Sequence, residues 1–203
     1  MDLTEIGGQL MQQIQQTSPL EWTAVVFGVS EVLLARKNNI WLYPTGIIGI
    51  LCSSILLYQS QLYAETFLQG YYLVMSIYGW ANWGNRSSTG ASRISRSSKR
   101  VKWITWGIAG LGWVLLYGVL RAFTNSDVPL LDAFVTSTAW AGMWLLAKRK
   151  LENWIWLNVS NLVAIPLLVY KELFMFSVLT LILFVVAIFG YLDWKRTLDT
   201  ADE

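Results

Sequence analysis

The sequence contains no histidine and a single cysteine, Cys52. Disulfide frameworks, zinc sites of the His/Cys type, Cys–His nucleophiles and Ser–His–Asp triads are thereby excluded. Charge is scarce too: only 14% of the residues are Asp, Glu, Lys or Arg, against about a quarter in soluble domains. No GxxxxGK(S/T) or GxGxxG segment occurs, so no nucleotide-driven motor is legible. Met1 to Ser18 holds neither Lys nor Arg and no apolar core segment, so a secretory signal peptide is not expected there. Leu3, Ile6, Leu10 and Ile14 recur at helical spacing among glutamines, a pattern that suits a short interfacial helix or a frayed end.

What is abundant is apolar surface. Hydrophobic residues make up 55% of the chain, mean hydropathy is +0.45 and there are 12 tryptophans. This composition specifies an all-α membrane protein, and 203 residues suit a single transmembrane domain, 1–203. Seven spans are expected at approximately 19–35, 40–58, 66–84, 103–121, 131–147, 154–170 and 174–193, each near the roughly 20 residues that cross ~30 Å of hydrocarbon.

The cations fix an orientation. Of the 15 Lys and Arg, only Arg121 and Lys171 fall on one side of this scheme. The other side collects Arg36, Lys37, the cluster from Arg86 to Lys102, Lys148 to Lys150, Lys195 and Arg196. Positive charge accumulates on the cytoplasmic side, so the N-terminus is expected outside and the C-terminus in the cytoplasm. The Ser-, Gly- and Arg-rich stretch from Gly84 to Lys102 reads as a flexible linker that meets anionic lipid headgroups, not as a nucleic-acid patch.

The chain repeats itself. Leu33-Leu34-Ala35-Arg36-Lys37 returns as Leu145-Leu146-Ala147-Lys148-Arg149, and Ile77-Tyr78-Gly79-Trp80-Ala81-Asn82-Trp83 returns as Ile188-Phe189-Gly190-Tyr191-Leu192-Asp193-Trp194. The offsets, 112 and then 111 positions, need one gap between them. Repeat 1 therefore covers about 19–84 and repeat 2 about 131–194. A connector with the fourth helix, about 85–121, restores the same orientation to both. This is the 3+1+3 parallel-repeat plan on which the SWEET sugar carriers are built.

Two polar stripes mark a candidate substrate site. Trp154, Asn158 and Asn161 fall within about 60° of one another on a helix, and Gln69, Tyr72, Ser76, Trp80 and Trp83 within about 80°. Uncharged polar groups in hydrocarbon need partners, so these stripes are expected to face each other across the repeat interface. The competing readings are an interfacial aromatic belt for Trp80, Trp83 and Trp154 and inter-helix hydrogen bonds for Asn158 and Asn161. Trp41 and Thr45 share a face of the second span, and Thr136, Trp140 and Met143 one of the fifth. Pro44 and Pro166 are candidate kinks. Glu31 lies about a turn from Arg36 and Lys37, and pairing with them is the expected role. With every Lys and Arg in loops or at span ends, a phosphate would cross without a basic partner. An aromatic cation suits indole and phenol faces better. No metal and no cofactor are expected.

Ala35-Arg36-Lys37-Asn38-Asn39, Trp41-Leu42-Tyr43-Pro44-Thr45-Gly46, Leu62-Tyr63-Ala64, Gln69, Ile77-Tyr78-Gly79-Trp80 with Trp83, and Glu152-Asn153-Trp154 with Asn161 together resemble the Pnu family of vitamin transporters. The resemblance covers Glu21 to Trp194. It implies a seven-helix SWEET-like fold, a homotrimer in a bacterial inner membrane, and uptake of nicotinamide riboside by facilitated diffusion. A cytoplasmic kinase would then trap the solute. Riboside-specific members ask for Trp where this chain has Leu157. Thiamine is therefore the alternative vitamin, and a sugar the alternative of another class.

Overall fold

The computed structural model describes residues 3–59, 63–84, 94–124 and 126–200. The elements are α1 (Leu3–Gln16), α2 (Pro19–Arg36), α3 (Leu42–Gln59), α4 (Tyr63–Gly84), α5 (Lys99–Phe123), α6 (Pro129–Ala147), α7 (Asn153–Tyr170) and α8 (Phe174–Asp199). The seven expected spans correspond to α2–α8, with ends shifted by a few residues. α3, α5, α6, α7 and α8 are each long and apolar enough to cross a membrane, and α1 with α2 forms a sixth, bent candidate. α2 alone carries Glu21, Glu31 and Arg36, and α4 carries Gln69, Ser76 and Asn82, which lowers the apolarity of both.

Local chemistry sets the helix ends. Ser18 and Glu21 form a reciprocal capping box at the start of α2, with Pro19 in its first turn. Ser98 caps α5 by accepting a hydrogen bond from the Val101 N–H. Asn38, Arg149 and Glu172, at φ of 52°, 51° and 59°, terminate α2, α6 and α7. In each case the next residue donates its N–H five residues back: Asn39 to Leu34 O, Lys150 to Leu145 O, Leu173 to Leu168 O, each at 2.9 Å. These are left-handed Schellman ends built without glycine. Pro44 sits in the first turn of α3, where a missing N–H costs nothing, so it does not kink that helix as expected.

Each of α2, α3, α4, α6, α7 and α8 packs against the next in that order, and α8 returns to α2. Six helices thus close a ring, with α5 outside it against α6 and, narrowly, α4. The main core lies at the basic end, where α2 and α6 stop. Ala35, Leu42, Tyr43, Trp83, Leu146, Trp154 and Trp194 are buried there together.

That core is built twice. The Trp83 indole N–H donates to Leu146 O at the end of α6, and the Trp194 indole N–H donates to Ala35 O at the end of α2. Tyr43 meets Trp83 edge-on at 5.2 Å, and Trp154 meets Trp194 edge-on at 5.6 Å. Gly79 leaves room for the Tyr43 ring and Gly190 for that of Trp154; an added Cβ would stand 2.4 Å and 2.7 Å from them. Trp83 is therefore a buried cap on a neighbouring helix and not a belt residue.

At the opposite end Lys171 pairs with Asp132 at 2.6 Å. There, too, α1 turns away from α2 at 107°. Gln13 anchors it by donating to Glu172 O and accepting from the Met175 N–H.

The end of the linker is ordered, contrary to the expectation of flexibility. Ser95 exchanges backbone hydrogen bonds with Arg149 and Leu151, and Ser97 donates its N–H and hydroxyl to the Glu152 carboxylate. These contacts start α5 at Lys99, about one turn earlier than expected. Residues 85–93 and Leu62 lie outside the described residues.

Candidate functional site

The closed basic end and the small residues beside it leave space further along the ring. A cavity of about 520 Å³ is lined by Glu21, Glu31, Ser53, Gln69, Phe176 and Leu183, among others of α2, α3, α4 and α8. Its α3 wall continues the stripe of Gly46 and Gly49, and its α8 wall continues that of Ala187 and Gly190, all buried. It therefore occupies the inner faces of the ring. Glu21 and Phe176 stand in the first turns of α2 and α8, so the cavity starts at the end away from the core. Ten residues of helix, about 15 Å, separate Glu21 from Glu31.

Glu21 is engaged at that entrance: its carboxylate accepts the Ser18 N–H at 2.6 Å. Glu31 is not. The expected partner, Arg36, pairs with Asp193 at 2.6 Å, because α8 brings that carboxylate to the end of α2. Among the described residues no hydrogen bond or ion pair reaches the Glu31 carboxylate. It lies across Gly46, with Cδ 2.5 Å from where a Cβ would stand. Tyr43 and Tyr72 are within its electrostatic reach. Among the described residues, none that lines this cavity is basic. The sequence reading gave Glu31 a structural pairing with Arg36 and Lys37, although a carboxylate more than a turn inside an apolar helix is a functional signal by itself.

The expected site residues separate in space. Gln69 lines the central cavity, and Tyr72 stands near Glu31. Ser76, one turn further, is fully buried with its hydroxyl unpartnered, as is the hydroxyl of Tyr43. Trp154 and Asn158 line a different space, a groove of about 330 Å³ between α7 and α8 that also includes Tyr191. Trp154 is 1% exposed, and its indole nitrogen, like Asn158 Oδ1, lacks a partner among the described residues. Among the described residues, the Asn158 carboxamide oxygen thus makes no inter-helix hydrogen bond. Asn161 is half-buried on the same helix. Trp41 and Trp80 are 65% and 45% exposed on the outer surface.

The two stripes converge only at the basic end, where Trp83 and Trp154 both meet Trp194; elsewhere α6 stands between α4 and α7 in the ring. What α4 meets instead is an aromatic seam on α6: Tyr71 stacks on Trp140 at 4.4 Å and donates its hydroxyl to Trp140 O. Leu157, at the position of interest for vitamin choice, packs into the gap at Gly142, 2.7 Å from where a Cβ would stand.

Comparison with known proteins supplies the class of molecule. The crystal structure of the vitamin B3 transporter PnuC superposes with a TM-score of 0.72 at 20% identity, covering 96% of this chain and 88% of that one. That likeness establishes a shared helical fold. Comparison with curated protein sequences gives no match. The family model of the nicotinamide mononucleotide transporters matches residues 18–196. With a multi-pass helical fold and a match over almost its whole length, the chain belongs to the nicotinamide mononucleotide transporter family.

Proposed function

We propose that this protein carries nicotinamide riboside, and not the mononucleotide of its family's name, into the cell by facilitated diffusion. The observation that carries the proposal is the charge of the central cavity: two carboxylates, one carboxamide and no basic side chain among the lining residues. A phosphate entering it would meet like charge and no donor of the Arg or Lys kind, an arrangement that costs several kcal/mol in a dry site. A pyridinium with an uncharged ribose meets the opposite conditions. The volume, about 520 Å³, falls within the ~300–1,000 Å³ usual for small-molecule sites.

In this reading α2–α8 all cross the membrane in a 3+1+3 arrangement of SWEET type. The ring contacts support it, because α2–α8 and α4–α6 are equivalent pairings of a first helix with the other repeat's third. The N-terminus is outside and the basic core faces the cytoplasm, so the structure is open outward. Gln69 and Tyr72 hold the solute first. Ser76, Trp154, Asn158 and Asn161 are reached once the core loosens, whereas Trp41 and Trp80 stay on the outer surface. Phosphorylation by a cytoplasmic kinase traps the product, and the working unit in the bacterial inner membrane is a homotrimer. Thiamine is the second reading, favoured by Leu157 over Gly142, which removes one wall for a stacked pyridinium.

Intrinsic tryptophan fluorescence of the purified protein, titrated with the riboside, the mononucleotide and thiamine, tests this. Saturable quenching by the riboside and none by the mononucleotide is expected. Quenching by the mononucleotide at equal concentration overturns the proposal, and a response to thiamine alone reassigns the vitamin.

A further inference from the structure

We infer that Glu31 is the counter-charge of the central cavity, which makes it select monocationic over neutral and anionic solutes of the same shape. This rests on reading that cavity as the solute site.

Four observations carry it. The half-buried Glu31 carboxylate lines the cavity about 15 Å along α2 from the Glu21 entrance. It has no hydrogen-bond or ion-pair partner among the described residues, because Arg36 is held by Asp193. The groups that face it are neutral: Tyr43 from α3, Tyr72 and Gln69 from α4, and apolar Leu179 and Leu183 from α8. Finally, Gly46 gives the side chain its place, since any Cβ there would overlap the carboxyl.

An isolated carboxylate in such surroundings is strongly disfavoured until a cation arrives. A monocation leaves the site neutral. A neutral analogue gives the carboxylate no partner, so the ionised form gains nothing from it, and an anion adds like charge. Glu21, the other acid of the cavity, contributes less because its carboxylate is spent on the capping box of α2. In the structure the left-handed ends of α2 and α6, Asn38 and Arg149, are 111 positions apart and not the 112 of the sequence match, so the position equivalent to Glu31 is Gly142, which bears no side chain, and the counter-charge exists on one side of the ring only. The cavity is thereby polarised, and a solute with one charged ring has one preferred orientation in it.

Two experiments separate this inference from the choice of vitamin. The first uses no vitamin. Ser53, on the cavity wall, is changed to Cys in a Cys52→Ser background. Its modification rates by trimethylammonioethyl and sulfonatoethyl methanethiosulfonate are divided by those of free cysteine. In either reaction the thiolate forms a disulfide with the reagent and methanesulfinate leaves. The cationic reagent is expected to be favoured by roughly tenfold or more. Glu31→Gln should remove most of that preference and Glu21→Gln less of it. Gly46→Ala should reduce it by displacing the carboxyl with its charge intact. A preference that survives Glu31→Gln, or that Glu21→Gln abolishes alone, overturns the inference.

The second titrates unmodified protein and Glu31→Gln with nicotinamide riboside and its neutral dihydro form. The unmodified protein should favour the cation by roughly tenfold or more, and the variant should bind both alike. Equal preference in the two proteins overturns the inference even if the cysteine variant does not fold. Failure of the riboside to bind, with the reagent preference intact, removes the vitamin and leaves the counter-charge standing.

Discussion

The two repeats are alike at one end of the ring and unlike in its middle. At the basic end Tyr43, Gly79 and Trp83 have Trp154, Gly190 and Trp194 as counterparts 111 positions on, and each tryptophan caps the first helix of the opposite repeat. Half-way along, the same spacing relates two helix contacts with the sizes exchanged. In repeat 1 the long side chain, Glu31, comes from α2 and the glycine, Gly46, from α3. In repeat 2 the glycine, Gly142, is on α6 and the long side chain, Leu157, on α7. Both close contacts fill the same gap between a first and a second helix, but one ends in a carboxylate that lines the cavity and the other in a hydrocarbon. Packing demands are served by the shared part, and solute chemistry by the part that differs.

The comparison is broken most forcefully at the caps. Trp83→Ala and Trp194→Ala should each lower unfolding stability in detergent by ~3–5 kcal/mol, with equal shifts in thermal midpoint. A large loss in one and none in the other would show that the two caps are not equivalent. Next come the two glycines. Gly142→Ala meets Leu157 side chain and backbone, at 2.7 and 3.2 Å, and should cost ~1–3 kcal/mol. Gly46→Ala meets first the movable end of Glu31, so stability should hardly change while riboside affinity falls. Equal destabilisation by both would erase the distinction between scaffold and site.

Smaller effects sharpen it. Tyr72→Phe removes a hydroxyl near Glu31 and should weaken riboside binding by ~2–10-fold, whereas Trp80→Ala, on the outer surface, should leave affinity unchanged in the same titration. The smallest change is expected from Asp193→Asn. Arg36 and Asp193 are each 36% exposed, and an ion pair so hydrated is worth ~0–1 kcal/mol. Its counterpart, Asn82, already does without the charge by donating to Ala147 O.

Why α4 disappointed the stripe argument is instructive. Gln69, Tyr72 and Ser76 share a face by helical periodicity alone, on which Gln69 lines the cavity, Tyr72 is half-buried and Ser76 is buried. Trp80 shares the face by angle but stands at its margin, where ring geometry turns it outward at 45% exposure. Trp154 was legible as inward, and it is, yet as a packed element over Gly190. Glu31 was misjudged because Arg36 is its neighbour in sequence, while Asp193, 157 residues away, is the neighbour that Arg36 bonds.

The sequence by itself determined the class: too little charge and too much apolar length for a soluble fold, a repeat at nearly constant offset, and helix limits set by caps such as Ser18 and Ser98. Those are local properties, governed by composition, periodicity and short-range hydrogen bonds. Only the tertiary structure decided which helices are neighbours, that α6 stands between the two polar stripes, and that one carboxylate is left unpaired inside the ring. Partner choice for a buried charge is a matter of distance through space, which chain order does not encode.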